Sequence, residues 1–233
     1  MMVPSRELRL EEGEVLLVDK PKGWTSFDVV NKIRHLFHVR KVGHAGTLDP
    51  MATGLLIVCI GKKTKEIVAY VGMEKEYDAE MTLGARTASY DAETPVLETR
   101  PVDGITPERV TEVLKGFVGP QAQVPPMWSA ASVGGTRLYK LARKGKVVER
   151  RPREIVVHSI TPTSVEVPLV RFTAVCSKGT YVRGLVNDMG EKLGCGAYLS
   201  ALVRTRIGPY RLGDAFSMTD LEALGAAQGA SPA

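Results

Sequence analysis

Residues 42–60 read VGHAGTLDPMATGLLIVCI, and the change of character half-way along this stretch decides the fold class. Residues 42–54 combine glycines and other small residues with an Asp-Pro pair, which predicts a loop. Leu55–Ile60 is a continuous apolar run of strand length, which predicts a buried strand. A loop that feeds such a strand presents its side chains from a rigid platform.

On the N-terminal side, EVLLVDK (14–20) predicts a second short buried strand, and KPKGW turns the chain. A helix is expected from about Ser26, with Val29, Val30, Ile33, Leu36 and Phe37 on one face. Asp28 falls in its first turn, where the helix dipole favours an anion. On the C-terminal side, Lys75–Leu83 alternates apolar and polar residues and predicts a half-buried strand. ARTASYDAETP (85–95) reads as loop. Thr106-Pro107 opens a second helix with Val110, Val113, Leu114 and Phe117 as its apolar stripe, and Gly119-Pro120 is expected to stop it. Arg153–Ile160 and Leu169–Ser177 predict strands. Thr180–Leu193 predicts a third helix with Gly194 as its C-terminal glycine, and Tyr198–Ile207 a last alternating strand. The tail GAAQGASPA is expected to fray. Strands outnumber helices without alternating strictly with them, so an α+β or mixed-sheet α/β domain is expected rather than a doubly wound parallel sheet.

The 233 residues suit one large domain or two small ones. The expectation is a single domain over 1–233, with about 120–150 a mobile insertion, because sheet-like segments resume after it. A hydrophobic content of 44% and a charged content of 24% exclude disordered, collagen-like and coiled-coil chains. The longest apolar run, Leu55–Ile60, is far short of the roughly 20 residues a membrane span needs. MMVPSRELRLEE is too charged for the apolar core of a secretory signal. Cys59, Cys176 and Cys195 have no CxxC spacing, and buried free thiols in a reducing cytoplasm are expected.

The net charge is +5, and its location says more than its size. Segment 136–153, TRLYKLARKGKVVERRPR, holds eight Lys/Arg against one Glu, hence +7, which leaves −2 on the rest of the chain. Such a local patch fits a polyanion-binding surface, although a solvated charged face has the same composition. Its candidate contact residues are Arg137, Lys140, Arg143, Lys144 and Lys146.

No metal site is expected. His35 and His38 lie three apart on a predicted helix, but no HExxH or Cys/His cluster accompanies them. GxxxxGK[ST], GxGxxG and GxSxG are absent, so nucleotide-cofactor and nucleophile-elbow chemistry have no support. Asp49 is the only acid between Asp28 and Glu66 and stands just before the buried strand. It reads equally as a carboxylate presented to a ligand and as an Asp capping its own turn, as Asp-Pro commonly does. In CSKGTYVRG (176–184) a strand ends, a glycine turns the chain, and a helix starts with Tyr181 and Arg183 at its N-terminus. Backbone N–H groups, a ring and a guanidinium together suit an anion or a stacked base, and an ordinary capped helix fits the same residues. Tyr77, on a strand, is of a kind that more often fills a core.

GHAGTLDPMATGLL, with DKPKGWTS, KEYDAEMTLG and CSKGTYVRGLVNDMGEKLG, resembles the TruB family of tRNA pseudouridine synthases, and the similarity runs from about residue 13 to about residue 215. The resemblance implies a pseudouridine-synthase fold, with a central mixed, mainly antiparallel sheet and flanking helices. It also implies conversion of the T-loop uridine at tRNA position 55 to pseudouridine, without metal or cofactor. By the same resemblance, Asp49 is the catalytic residue and His44 lies against the RNA near the flipped nucleotide. Tyr77 stacks on the target base, Tyr181 contacts substrate, Arg183 pairs with the catalytic Asp, and Leu202 lines the uracil pocket. Lys20 and Pro21 match a Lys-Pro element beside the site and are supporting residues. The expected partner is the T-arm stem-loop of tRNA, met in the cytoplasm by a monomer with no membrane contact and no obligate protein partner.

Two departures stand out. PPMWSAASVGG carries Trp128 where the family usually has Tyr, and Ala131-Ser132 where it usually has Leu-Lys, so contacts of this RNA-gripping insertion are expected to differ. Many relatives continue into a small RNA-binding PUA domain, and none is expected here. The rival readings are a non-catalytic tRNA-binding or tRNA-folding module on the same fold, and a hydrolase using a carboxylate pair. The only acid pair to nominate for the hydrolase is Asp49 with Asp91, which no pattern supports.

Overall fold

The computed structural model describes residues 8, 10 and 12–227. The rest of the charged N-terminal segment and the last six residues of the tail expected to fray lie outside the described residues. In chain order the elements are β1 (Val15–Lys20), α1 (Ser26–Leu36), β2 (Val42–Ala45), β3 (Thr53–Ile60), α2 (Ile67–Gly72), β4 (Lys75–Leu83), β5 (Ala85–Thr87), β6 (Val96–Thr99), α3 (Pro107–Lys115), β7 (Gly119–Gln123), β8 (Ser132–Val133), β9 (Thr136–Arg137), α4 (Leu138–Ala142), β10 (Arg153–Glu166), β11 (Leu169–Cys176), α5 (Val182–Leu193), β12 (Ala197–Ile207), β13 (Tyr210–Arg211) and α6 (Met218–Ala227). The fold is α+β, with a mixed, mainly antiparallel sheet and flanking helices. The chain forms two compact units, residues 1–75 with 203–233 and residues 76–202, and β12 contributes its first half to the second and its end to the first.

The first unit is organised by β3. It pairs antiparallel with β1 (Val18↔Leu56) and β2 (His44↔Val58), and parallel with the end of β12 (Arg204↔Gly54). Leu56 and Val58 enter one core cluster with Leu16, Val29, Ile33 and Leu221, whereas Leu55, Ile57 and Cys59 enter another with Tyr70 and Ile207. A strand covered on both faces needs apolar residues at every position, and for this reason the sequence runs apolar instead of alternating. Each such side chain, fully buried, contributes about 1.5–3 kcal/mol. Helix α1 starts at a capping box. Thr25 Oγ1 accepts from the Asp28 N–H (3.1 Å), and Asp28 Oδ2 accepts from the Thr25 N–H (2.8 Å). The Thr25 hydroxyl, and then its N–H, hold the Asp28 carboxyl below its ordinary pKa.

In the second unit the strand order is β12–β4–β11–β10–β7. Strand β4 alternates buried and exposed positions over the predicted range, and α5 ends at a left-handed Gly194 (φ +85°).

Several expectations need correction. Residues 42–54 are not loop throughout. Val42–Ala45 is strand and Thr53-Gly54 opens β3, leaving 46–52 as the connection. Pairing with β3 overrides the local turn composition. Gly119-Pro120 does not stop α3, which ends at Lys115 with Gly116 as its cap. The two residues instead open β7, an edge strand on β10 (Pro120↔Val156), where a missing N–H is tolerated. Segment 85–95 contains β5, which pairs with β6. His38 lies beyond α1 at a positive φ of 49°, not on the helix. α2 and α6 are helices for which no element is expected from the sequence. Cys59, Cys176 and Cys195 are buried free thiols, and burial pushes Cys59 up to about 11 and Cys176 to about 12. Among the described residues no helix is long and apolar enough to cross a membrane.

Candidate active site

In the first unit, the 46–52 connection that carries Asp49 is held from three sides. The Ser26 hydroxyl, in the first turn of α1, donates to the Leu48 carbonyl (3.2 Å) and accepts from the Leu48 N–H (2.9 Å). The turn after the Lys-Pro pair is tied in by the Gly23 N–H on the Pro50 carbonyl (2.8 Å). Arg204, 1% exposed on β12, donates from Nε to the Leu55 carbonyl (2.7 Å) and from Nη2 to the Gly46 carbonyl (3.1 Å). Gly54 lets Arg204 come this close. Its φ is +99°, and a Cβ there would stand 2.4 Å from the Arg204 carbonyl oxygen. Ala45, Leu48 and Ala52 are buried, which fixes the backbone, while Asp49 is half-buried. The Asp49 carbonyl accepts from the Ala52 N–H (3.1 Å), so the tight turn of Asp-Pro and the presented carboxylate coexist.

His44 precedes this connection on β2. Burial, and then the Arg204 charge, lower its imidazole below the ordinary pKa against a smaller opposite pull from the Gly46 backbone, so the ring is neutral at physiological pH. Lys20 is fully buried at the end of β1, with its ammonium donating to the carbonyls of Pro21 (2.9 Å) and Trp24 (2.7 Å). It therefore shapes the turn that leads to Gly23.

The second unit holds Tyr77, Tyr181, Arg183 and Leu202. Tyr77 on β4 and Leu202 on β12 are each 8% exposed. Arg183, in the first turn of α5, lies 5.6 Å over the Tyr181 ring. Its guanidinium donates from Nη2 to the Trp128 carbonyl (2.6 Å) and pairs from Nη1 with Asp91 Oδ2 (3.3 Å). Burial brings Arg183 down to about 10, which leaves it protonated at neutral pH. Asp91 is equally buried. Its Oδ1 accepts from the Ser89 hydroxyl and the Glu93 N–H, and burial raises its pKa against those two donors. Tyr181, the N-cap of α5, has no side-chain cap of its own. The buried Gln123 amide instead bonds the backbone of Tyr181 itself, accepting from its N–H (2.8 Å) and donating to its carbonyl (2.9 Å).

The five nominated cations are all exposed, with Arg137, Lys140, Arg143 and Lys144 on or next to α4 and Lys146 just beyond. The Arg143 guanidinium lies 5.6 Å over the Tyr139 ring. Arg150, Arg151 and Arg153 line an open groove with Pro125 and Leu138, which extends the basic surface.

Sequence reasoning missed Ser26, Arg204 and Gln123, and met Asp91 only as a hydrolase acid. Asp91 is a buried ion-pair partner of Arg183 instead. Arg204 left a readable sign, since it stands two residues from Leu202 and so on the same face of an alternating strand, a charge where an apolar side chain belongs.

Residues 34–182 match the family described as TruB family pseudouridylate synthase (N terminal domain), and residues 183–231 match the tRNA pseudouridylate synthase B C-terminal domain. The chain is 52% identical over 218 residues to a Chlorobium luteolum protein named tRNA pseudouridine synthase B, covering 91% of this chain and 75% of that one. Its identity to the Phocaeicola vulgatus protein of the same name is 47%, covering 91% and 92%. A chain in the crystal structure of a Cbf5-Nop10-Gar1 complex is similar with a TM-score of 0.71 and 32% identity, over 92% of this chain and 54% of that one. A chain in the structure of an H/ACA RNP bound to a substrate RNA containing 2'-deoxyuridine follows at a TM-score of 0.68 and 29% identity, over 90% and 52%. This chain spans about half the length of those solved chains.

Proposed function

From its membership of the TruB family of pseudouridylate synthases, to which this chain belongs, we propose that it isomerises a uridine of tRNA, the T-loop residue at position 55, to pseudouridine. The reaction breaks the N1–C1′ glycosidic bond, turns the uracil and joins C5 to C1′, while C5 gives up its hydrogen as a proton and N1 takes one up. Every atom is retained, so neither oxidant nor reductant is consumed. Asp49 acts on the ribose, either attacking C1′ or taking a proton from C2′. By the family resemblance, Arg183 is the cation assigned to that carboxylate. Tyr77 offers a π-face to the uracil, Leu202 keeps the pocket dry, and His44, Lys20 and Tyr181 line the approach of the RNA. The target leaves its stack at a cost of a few kcal/mol. Phosphate contacts of Arg137, Lys140, Arg143, Lys144 and Lys146 offset that cost. tRNA is thus the partner, the cytoplasm the place of action, and a monomer the working form.

The observation that carries this reading is the triple anchorage of the 46–52 connection, which fixes the backbone under the half-buried Asp49. Asp49→Asn tests it. Incubation with unmodified tRNA transcript, followed by carbodiimide adduct formation and primer extension, is expected to give a stop with the wild type and none with the variant, while tRNA affinity stays within a few-fold. Pseudouridine from the variant would remove Asp49 from its role. Binding without any product from the wild type would leave a tRNA-binding module.

A further inference from the structure

We infer that Gln123 is a positioning residue for the proposed synthase site, acting through the backbone of Tyr181. The inference rests on the functional reading above. A backbone N–H only donates and a carbonyl only accepts, so the two bonds to Tyr181, 2.8 and 2.9 Å long, need one planar group carrying both an acceptor and a donor. The Gln123 amide is such a group, and the pairing fixes its orientation. Gln123 is 3% exposed, and its amide packs so closely on the start of α5 that a Cβ at Gly184 would stand 2.9 Å from Nε2. The Tyr181 carbonyl also accepts from the N–H groups of Gly184 (3.0 Å) and Leu185 (3.2 Å), so the clamp grips the peptide from which the helix grows.

That peptide decides where two site residues point. Tyr181 is held directly, and Arg183 is two residues further, with its guanidinium over the Tyr181 ring. The same strap reaches Arg183 a second time, because the Trp128 carbonyl that accepts from Nη2 lies five residues after Gln123. Pro125 and Pro126, both buried, stiffen the stretch between. Gln123 and Trp128 therefore grip the start of α5 from one short segment, the segment that leads on to β8, β9 and α4. A displacement of about 1 Å at a reacting group can cost on the order of a hundredfold in rate.

The test compares Gln123→Met, of similar length without either bond, and Gln123→Glu, which keeps the acceptor and loses the donor. Gln121→Met is the control, since it removes a single bond from the same strand, the donation to the Phe117 carbonyl (2.7 Å), and leaves Tyr181 alone. Single-turnover rate and tRNA affinity are measured separately on unmodified transcript, and amide exchange at Tyr181 is followed by NMR. The expected result is a ten- to hundredfold slower rate for Gln123→Met with affinity within threefold, Tyr181 exchange at least tenfold faster, and Gln123→Glu, which sets two acceptors face to face, impaired at least as much. Rate loss no greater than in Gln121→Met, rate and affinity falling together, or unchanged Tyr181 exchange overturns the inference. If Gln123→Met does not fold, the same three outcomes are read on Gln123→Glu. A wild type that forms no pseudouridine sinks the functional reading, and Tyr181 exchange then decides the clamp by itself.

Discussion

Asp91→Asn isolates the buried ion pair beneath Arg183. The substitution keeps size and shape, and Asn retains an acceptor for the Ser89 hydroxyl and the Glu93 N–H. It replaces the oxygen facing Arg183 Nη1 with an amide that donates, leaving two donors face to face at a position 1% exposed. Removing one partner of a buried pair costs about 3–5 kcal/mol. Here the contact is a single one of 3.3 Å, and Arg183 keeps the Trp128 carbonyl at 2.6 Å, so the lower part of that range applies. The expected loss of stability is about 3 kcal/mol, a large fraction of the roughly 5–15 kcal/mol that holds a protein folded. Urea unfolding measures it as a lower midpoint at constant slope. Arg183→Met and the double variant complete a cycle, and a coupling of at least about 1 kcal/mol is expected for groups in direct contact. Pseudouridine formation by Asp91→Asn is expected to slow by at least tenfold. Additive losses in the cycle, or a variant within about 0.5 kcal/mol of wild type that turns over normally, would refute the reasoning.

The neutral His44 gives the first unit a dependence on pH. Its folded pKa lies below the ordinary 6.5, so the unfolded chain binds the proton better, and stability that is complete above pH 6.5 falls as the solution is acidified through the folded pKa. His44→Gln should flatten the melting temperature between pH 5 and 6.5, and an unchanged profile would show that His44 does not contribute. Ser26→Ala leaves both polar groups of the buried Leu48 peptide without the hydroxyl, at a cost of about 1–3 kcal/mol, and Ser26→Thr should recover part of it. If about four of the five exposed cations meet phosphates, log tRNA affinity should fall with log salt at a slope of roughly −3, and a flat response would show that the patch does not grip RNA.

Elements whose burial is regular were legible in the sequence. β3 announced itself because both of its faces are covered, β4 because one is, α1 through its apolar face and α5 through its C-terminal glycine. What stayed hidden depended on pairing over distance. Gly119-Pro120 looks like a helix stop until β10 lies beside it, and Gly43 like a turn until β3 does. The same holds at the site. Asp49, Tyr181 and Arg183 stand out within short motifs, whereas the groups that hold them come from elsewhere in the chain. Ser26 acts on Leu48 across 22 residues, Gln123 on Tyr181 across 58, and Asp91 on Arg183 across 92. No local pattern distinguishes that Gln from its neighbour Gln121, which caps nothing of the site.

The adjacency of Thr25 and Ser26 joins two duties in one helical turn. The first closes α1 and the second fastens the connection that bears the proposed catalytic carboxylate. Loosening of that turn would therefore cost the helix its cap and the connection one of its three ties together.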